Sequence, residues 1–260
     1  MAPDLADVKK PVIQFRDFSF QYKIQKNPTL RDINLTIYEG EKILILGASG
    51  SGKSTLANCI NGLIPFSFAG TVTGSLKVNG LETGGLSIFK LSTMVGTVLQ
   101  DSDAQFVGLS VGEDIAFALE NDNMPRDEML PKVLAHSAEV GMEDFLPALP
   151  FHLSGGQKQK VSLAGVLGES MNILIFDEPL ASLDPHTGTL TIDLIDRISR
   201  KCTVIIIEHR LEDVLYRPVD RVILMDQGRI IADTTVSALL CGELLRQYGI
   251  REPLYIAAMK

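Results

Sequence analysis

The run "KILIL" is followed at once by "GASGSGKST", residues 47–55. From Gly47 to Ser54 this fits G-x-x-x-x-G-K-[ST], and few sequence features restrict a fold more tightly. The glycines let successive backbone N–H groups curl around an anion. A helix starting at the same point adds its positive end. The strand must therefore deliver the chain to an open sheet edge, with a helix folding back behind it. In this motif Gly47, Ala48, Ser49, Gly50, Ser51 and Gly52 cradle phosphate, and Thr55 continues the loop into the helix. Lys53 reaches the β- and γ-phosphates, and Ser54 places its hydroxyl on Mg²⁺. The expected ligands are ATP and Mg²⁺.

Two more continuous apolar runs, "NILIFDE" and "TVIIIEH", resemble "KILIL" in ending on polar residues. Such runs suit parallel strands covered on both faces. Their ends are where ligands sit in sheets of this kind. Asp177 is the expected anchor for Mg²⁺, and Glu178 lies where an attacking water would need a base. His209 follows the third run and is placed to donate to the γ-phosphate or hold the water. Gln100, after another apolar stretch, offers a neutral amide for Mg²⁺ and water together. Tyr22 offers a ring for adenine.

Residues 12–38 instead alternate. Phe18, Phe20 and Tyr22 fall on one face, as do Ile33, Leu35 and Ile37, which predicts half-buried strands. Asn79-Gly80 within "KVNGLE" predicts a hairpin. Residues 110–150 read as helical. Pro125 and Pro131 punctuate them, and a helix beginning at Pro131 is expected to end at Gly141. Further on, a helix near 187–200 and a final one near 235–248, capped by Gly249, are expected. The fold class is α/β: a mostly parallel core sheet, an N-terminal antiparallel β-subdomain and an inserted helical subdomain. One domain is expected over residues 12–260, with the lobe at approximately 101–168 and an N-terminal tail at 1–11.

Composition narrows the function. The chain has 260 residues, 45% hydrophobic and 22% charged, with a net charge of −8. An acidic chain argues against a nucleic-acid partner, because phosphate backbones are held by clustered Lys and Arg. Three cysteines without a C-x-x-C spacing read as reduced thiols. The first ten residues lack the apolar core of a signal peptide. The aliphatic runs are too short to cross a bilayer, so any membrane role must pass through a partner.

A second glycine-containing helix start, "LSGGQ" at Leu153–Gln157, is unexplained by one phosphate loop. Ser154 with the N–H groups of Gly155 and Gly156 forms another anion seat. If it does not reach its own nucleotide, it must face that of a neighbour. Here the sequence resembles the ATP-binding cassette (ABC) ATPases, whose signature is LSGGQ. The phosphate loop, the acidic pair, "SLD" at 182–184, Gln100 and His209 stand in that family's order and spacing. The resemblance spans nearly the whole chain. It implies a P-loop NTPase core and two cassettes paired head to tail. Ser154, Gly155, Gly156 and Gln157 then close on the other copy's nucleotide, and Asp184 helps join the sites. The catalytic set so implied is Glu178, His209, Gln100 and Lys53.

"QDSDAQFVGLSVGEDIAFALEN", "IIIEHRLEDVL" and "GIREPLY" narrow the resemblance to the ATPases of energy-coupling factor transporters, which import vitamins and transition-metal ions. Gln105 is a second glutamine typical of that group. The resemblance implies a second cassette, a transmembrane scaffold subunit, a substrate-binding membrane subunit, and a place on the cytoplasmic face of a prokaryotic membrane. The sequence departs from the wider family at Lys160, where Arg is usual, and at Glu208, where Thr is usual. The competing expectations are an ATPase of the same fold without a membrane partner, as in iron–sulfur cluster assembly, and a P-loop kinase.

Overall fold

The computed structural model describes residues 9–99, 105–167, 171–181 and 183–259. The strands are β1 (Pro11–Tyr22), β2 (Leu30–Tyr38), β3 (Lys42–Leu46), β4 (Gly70–Val78), β5 (Leu81–Glu82), β6 (Val95–Val98), β7 (Ile173–Asp177), β8 (Thr203–Ile207), β9 (Arg221–Asp226) and β10 (Arg229–Thr234). The helices are α1 (Lys53–Ile60), α2 (Leu63–Phe66), α3 (Ile88–Ser92), α4 (Val111–Asn121), α5 (Arg126–Val140), α6 (Gly155–Val166), α7 (Pro185–Ile198), α8 (Leu211–Val214), α9 (Val236–Cys241), α10 (Leu244–Gln247) and α11 (Leu254–Met259).

Two sheets form, in the orders β2-β1-β4-β5 and β10-β9-β3-β8-β7-β6. The first is antiparallel, and Asn79-Gly80 turns β4 into β5 with Val78 opposite Leu81. A bulge at Asp17 (φ 47°) lets β1 turn both Phe15 and Phe18 inward. The second sheet is parallel from β9 through β6, and β10 closes it antiparallel.

The continuous apolar runs are explained by burial on both faces. Ile43, Ile45, Ile173, Ile175, Ile205 and Ile207 pack with α1 and the antiparallel sheet. Their alternates Leu44, Leu46, Leu174, Phe176, Val204 and Ile206 pack with α4, α6 and α7. Each such side chain contributes about 1.5–3 kcal/mol by leaving water. Helices α4, α5 and α6 belong to the second cluster through Val111, Ile115, Val133 and Val161. The helical lobe thus shares its core with the sheet that carries the phosphate loop.

Two sequence expectations are corrected. The helix expected from Pro131 begins at Arg126 and carries Pro131 inside it, ending at Gly141 (φ 68°). The cost of an interior proline, roughly 3 kcal/mol, is offset by anchoring Val133, Ser137 and Val140 in the lobe. The single helix expected over 235–248 is two short ones, because Gly242 adopts an extended conformation between α9 and α10. Gly249 (φ 66°) ends the second, as expected. Among the described residues no helix is long and apolar enough to cross a membrane.

Cys59 and Cys202 are buried and Cys241 is exposed. Burial raises the pKa of the Cys59 thiol and pushes that of Cys202 up to about 11. A thiol-alkylating reagent at neutral pH should therefore label Cys241 quickly, leaving Cys59 and Cys202 unmodified until the protein is denatured. Mass mapping of the labelled peptides checks this.

Candidate functional site

Strands β3, β7 and β8 end together. Ile207 lies opposite both Ile45 and Asp177, so the residues that follow each strand meet at one sheet edge. Gly47 opens the loop after β3. A Cβ there would stand 2.3 Å from the Met225 carbonyl oxygen and 2.5 Å from Ser51 Oγ, so a side chain is excluded by contact. Lys53 is buried and donates to the carbonyls of Gly47 (2.9 Å) and Ala48 (3.0 Å). Burial lowers its pKa, and the charges of Glu178, Asp177 and Glu208 oppose that shift.

Ser54 Oγ donates to Asp177 Oδ1 at 3.2 Å. Burial raises the Asp177 pKa, and the Ser54 hydrogen bond pulls it back. A hydroxyl and a half-buried carboxylate this close are oxygen donors of the kind Mg²⁺ prefers. The donor set therefore fits a magnesium ion held by Ser54 and Asp177. Glu178 follows with φ 52°, a left-handed conformation that costs a non-glycine residue on the order of 1–3 kcal/mol. Its N–H is tied to the Ile207 carbonyl (2.8 Å), and the residue lines the cleft over the loop.

That cleft has a volume of about 300 Å³, and its walls include Tyr22, Ser49, Gly50, Lys53, Ser54 and Glu178. The half-buried Tyr22 ring is pinned by its hydroxyl to Thr55 Oγ1 at 3.1 Å and by an edge contact with Phe20. Thr29 and Gln25 also line the cleft and bond to each other. They lie in the β1–β2 connection, where the sequence carries no motif to single them out. Gln100 and Ser182 lie outside the described residues. Gln105 spans the base of the Gln100 segment: its amide accepts from Leu99 N–H (2.9 Å) and donates to the Thr97 carbonyl (3.0 Å).

The LSGGQ segment forms the start of α6. Ser154 and Gln157 make a reciprocal capping box, with Ser154 N–H donating to Gln157 Oε1 at 2.9 Å and Gln157 N–H to Ser154 Oγ at 3.4 Å. Ser154 Oγ accepts there and keeps its own O–H for a ligand. Ser154 and Gly155 are exposed, and the first helical N–H groups have no intrahelical acceptor. Gly156 meets α7: a Cβ on it would lie 2.4 Å from Thr187 Cγ2. Asp184 caps α7 through His186 N–H, Thr187 N–H and the Thr187 hydroxyl, so its carboxylate is engaged within its own chain. Gln159 bonds the Pro179 carbonyl beside the acidic pair and accepts from Thr191 on α7. This tie was not apparent from the sequence, since it depends on how α6 lies against β7 and α7.

The glycine pair therefore divides its work: Gly155 faces solvent and Gly156 admits Thr187. Gly156→Ala should disturb the start of α6, because Thr187 cannot swing its methyl away without losing the bond to Asp184. Thr187→Ser removes that methyl and keeps the hydroxyl. We expect Gly156→Ala to lower the melting temperature by several degrees, as about 1–3 kcal/mol of overpacking would. Adding Thr187→Ser should recover most of the loss, as read by thermal unfolding.

The chain is similar to known proteins in both sequence and fold. The ABC transporter family profile matches residues 30–181, and one described as an ATP-binding cassette cobalt transporter matches residues 242–260. A Clostridium perfringens protein bearing the name of an ABC transporter ATP-binding protein is 59% identical over 97% of this chain and 45% of its own length. One from Photobacterium profundum is 58% identical over 95% of this chain and 44% of its own. The chain thus spans less than half the length of these relatives. Among solved structures, CbiO1 of Clostridium perfringens, part of the ABC transporter complex CbiONQ, superposes with a TM-score of 0.81 at 30% identity, covering 96% of this chain and 99% of that one. The ATP-binding cassette MJ0796, a dimer bound to ADP and phosphate, superposes with a TM-score of 0.74 at 26% identity, covering 86% and 98%. With the family profile covering more than half of its residues, the chain belongs to the ABC transporter ATP-binding family.

Proposed function

We propose that this cassette binds and hydrolyses ATP to drive a membrane importer of the energy-coupling factor type, with a vitamin or a transition-metal ion as cargo. One observation carries the hydrolytic reading: Lys53, Ser54 and Glu178 line a single cleft at the sheet edge, and Asp177 is bonded to Ser54 beside it. The loop N–H groups and Lys53 hold the β- and γ-phosphates, with Lys53 exchanging its two carbonyl partners for phosphate oxygens. Tyr22 supports the adenine. Mg²⁺, held by Ser54 and Asp177, with Gln100 as a further ligand, would neutralise phosphate charge. Glu178 accepts a proton from water as the water oxygen bonds the γ-phosphorus. The bond to the β,γ-bridging oxygen breaks, and ADP and phosphate leave. His209 steadies the γ-phosphate.

The described walls of the cleft include no residue of 154–157, while the start of α6 is exposed with a hydroxyl and open N–H groups. We therefore assign Ser154, Gly155, Gly156 and Gln157 to the nucleotide of a second cassette, with the Asp184 turn between the two sites. The length of the relatives beyond the match suits a second cassette in the same polypeptide. The match of residues 242–260 to a profile described as an ATP-binding cassette cobalt transporter favours a metal ion as cargo. A groove of about 360 Å³ between the β6 edge, α3 and α4 is walled by Phe89, Phe117, Leu63 and Leu99. We place the transmembrane scaffold subunit there, with the substrate-binding membrane subunit beyond it. The cassette then sits on the cytoplasmic face of the membrane.

Glu178→Gln should retain ATP affinity while lowering turnover by roughly 10²-fold or more, and should accumulate a closed two-cassette assembly visible by light scattering. Unchanged turnover would remove Glu178 from the reaction. Phe89→Glu should abolish co-purification with the membrane subunits from detergent while nucleotide binding persists; intact co-purification would move the docking site elsewhere.

A further inference from the structure

Glu208 stands where the wider family usually carries threonine, and it is fully buried. A buried carboxylate needs several donors to keep its charge. Glu208 Oε1 accepts from the N–H groups of His209 (2.8 Å) and Arg210 (3.1 Å) and lies 3.2 Å from His209 Nδ1. Oε2 accepts from Leu180 N–H at 3.1 Å. Leu180 sits in the turn that follows Glu178 and leads to Asp184. Its carbonyl is held in turn by Arg210 Nη1 at 2.9 Å, and Arg210 Nε is fixed by Asp213 Oδ2 at 2.6 Å. The backbone of Leu180 is thus clamped on both its N–H and its carbonyl by side chains from the loop after β8.

We propose that Glu208 is a positioning residue: it ties the His209 loop to the Leu180 turn, so that the imidazole and the turn after Glu178 keep one relative placement. Glu208 does not touch the nucleotide. Its Oε1 stands 3.2 Å from Nδ1 of a side chain that is itself 59% exposed, so the other ring nitrogen, Nε2, is not taken up by this contact. The family's usual threonine has one side-chain oxygen on a shorter arm. It cannot span from Leu180 to Arg210 as this carboxylate does. Arg210 supplies the second half of the clamp.

This role rests on the hydrolytic reading above, and the experiment separates the two. Glutamine at 208 places an oxygen toward His209 and Arg210 but an NH₂ group against Leu180 N–H, cutting only the link between the loops. In the full-length protein with its membrane subunits, Glu208→Gln should lower kcat for ATP about tenfold or more while KM stays within about twofold, since misplacing a group by 1 Å costs up to 10². In a His209→Ala background the same substitution should add little, because the group being positioned is gone. Arg210→Met breaks the clamp from its other side and is expected to lower kcat in the same direction, which keeps the test available if Glu208→Gln does not fold. Folded variants of both kinds with wild-type kcat, or full additivity with His209→Ala, would overturn the role. A wild-type assembly that binds ATP without turning it over would overturn the hydrolytic reading and this role together.

Discussion

Burial of the central parallel strands on both faces is the constraint on which the rest depends. It leaves β3, β7 and β8 no freedom of register, because a slip by one residue would exchange the side chains of two different cores. The strand ends therefore line up, with Ile207 opposite Ile45 and Asp177. The loop at Gly47, the acidic pair at 177–178 and the Glu208–His209 pair then fall on one edge. The chemistry is assembled by hydrophobic packing that itself contains no chemistry.

At that edge the charges are held close together. Lys53 is buried against carbonyl oxygens with three carboxylates in its neighbourhood. Burial disfavours its charge and the acids favour it, a balance that a triphosphate would tip further towards the ammonium. Glu178 is placed by a backbone conformation that its side chain does not favour. Strain of this kind persists only where surrounding bonds over-determine it, and here the Glu178 N–H is anchored on β8.

The start of α6 is connected to the same edge through its own chain. Gly156 rests on Thr187, Thr187 bonds Asp184, and Gln159 reaches the Pro179 carbonyl. The Leu180 turn is in turn clamped by Glu208 and Arg210. A contact made at the exposed Ser154 cap is thereby linked, through packed and hydrogen-bonded groups, to the residues around Glu178. Under the proposed pairing of two cassettes, that continuity would link the neighbour's nucleotide to this chain's own site.

The sequence alone determined the elements with strong local signals. Period-two alternation marked β1 and β2, and Asn79-Gly80 marked the β4–β5 turn. The glycine–lysine loop and the polar residues after each apolar run singled out Lys53, Ser54, Asp177, Glu178 and His209 as candidates. These are local because spacing and backbone chemistry specify them within a few residues. It misjudged Pro131, which a lobe helix anchored by Val133, Ser137 and Val140 tolerates, and Gly242, which interrupts a pattern that otherwise reads as one helix. Only the tertiary structure decided that Gly156 leaves room for Thr187, that Gln159 braces the turn after the acidic pair, and that Glu208 bonds to both of its neighbouring loops. Those facts depend on contacts between segments 20 to 32 residues apart, which only packing brings together. Glu208 looks in the sequence like a departure at a strand end; its burial and its donor at Leu180 exist only once β8 lies beside β7.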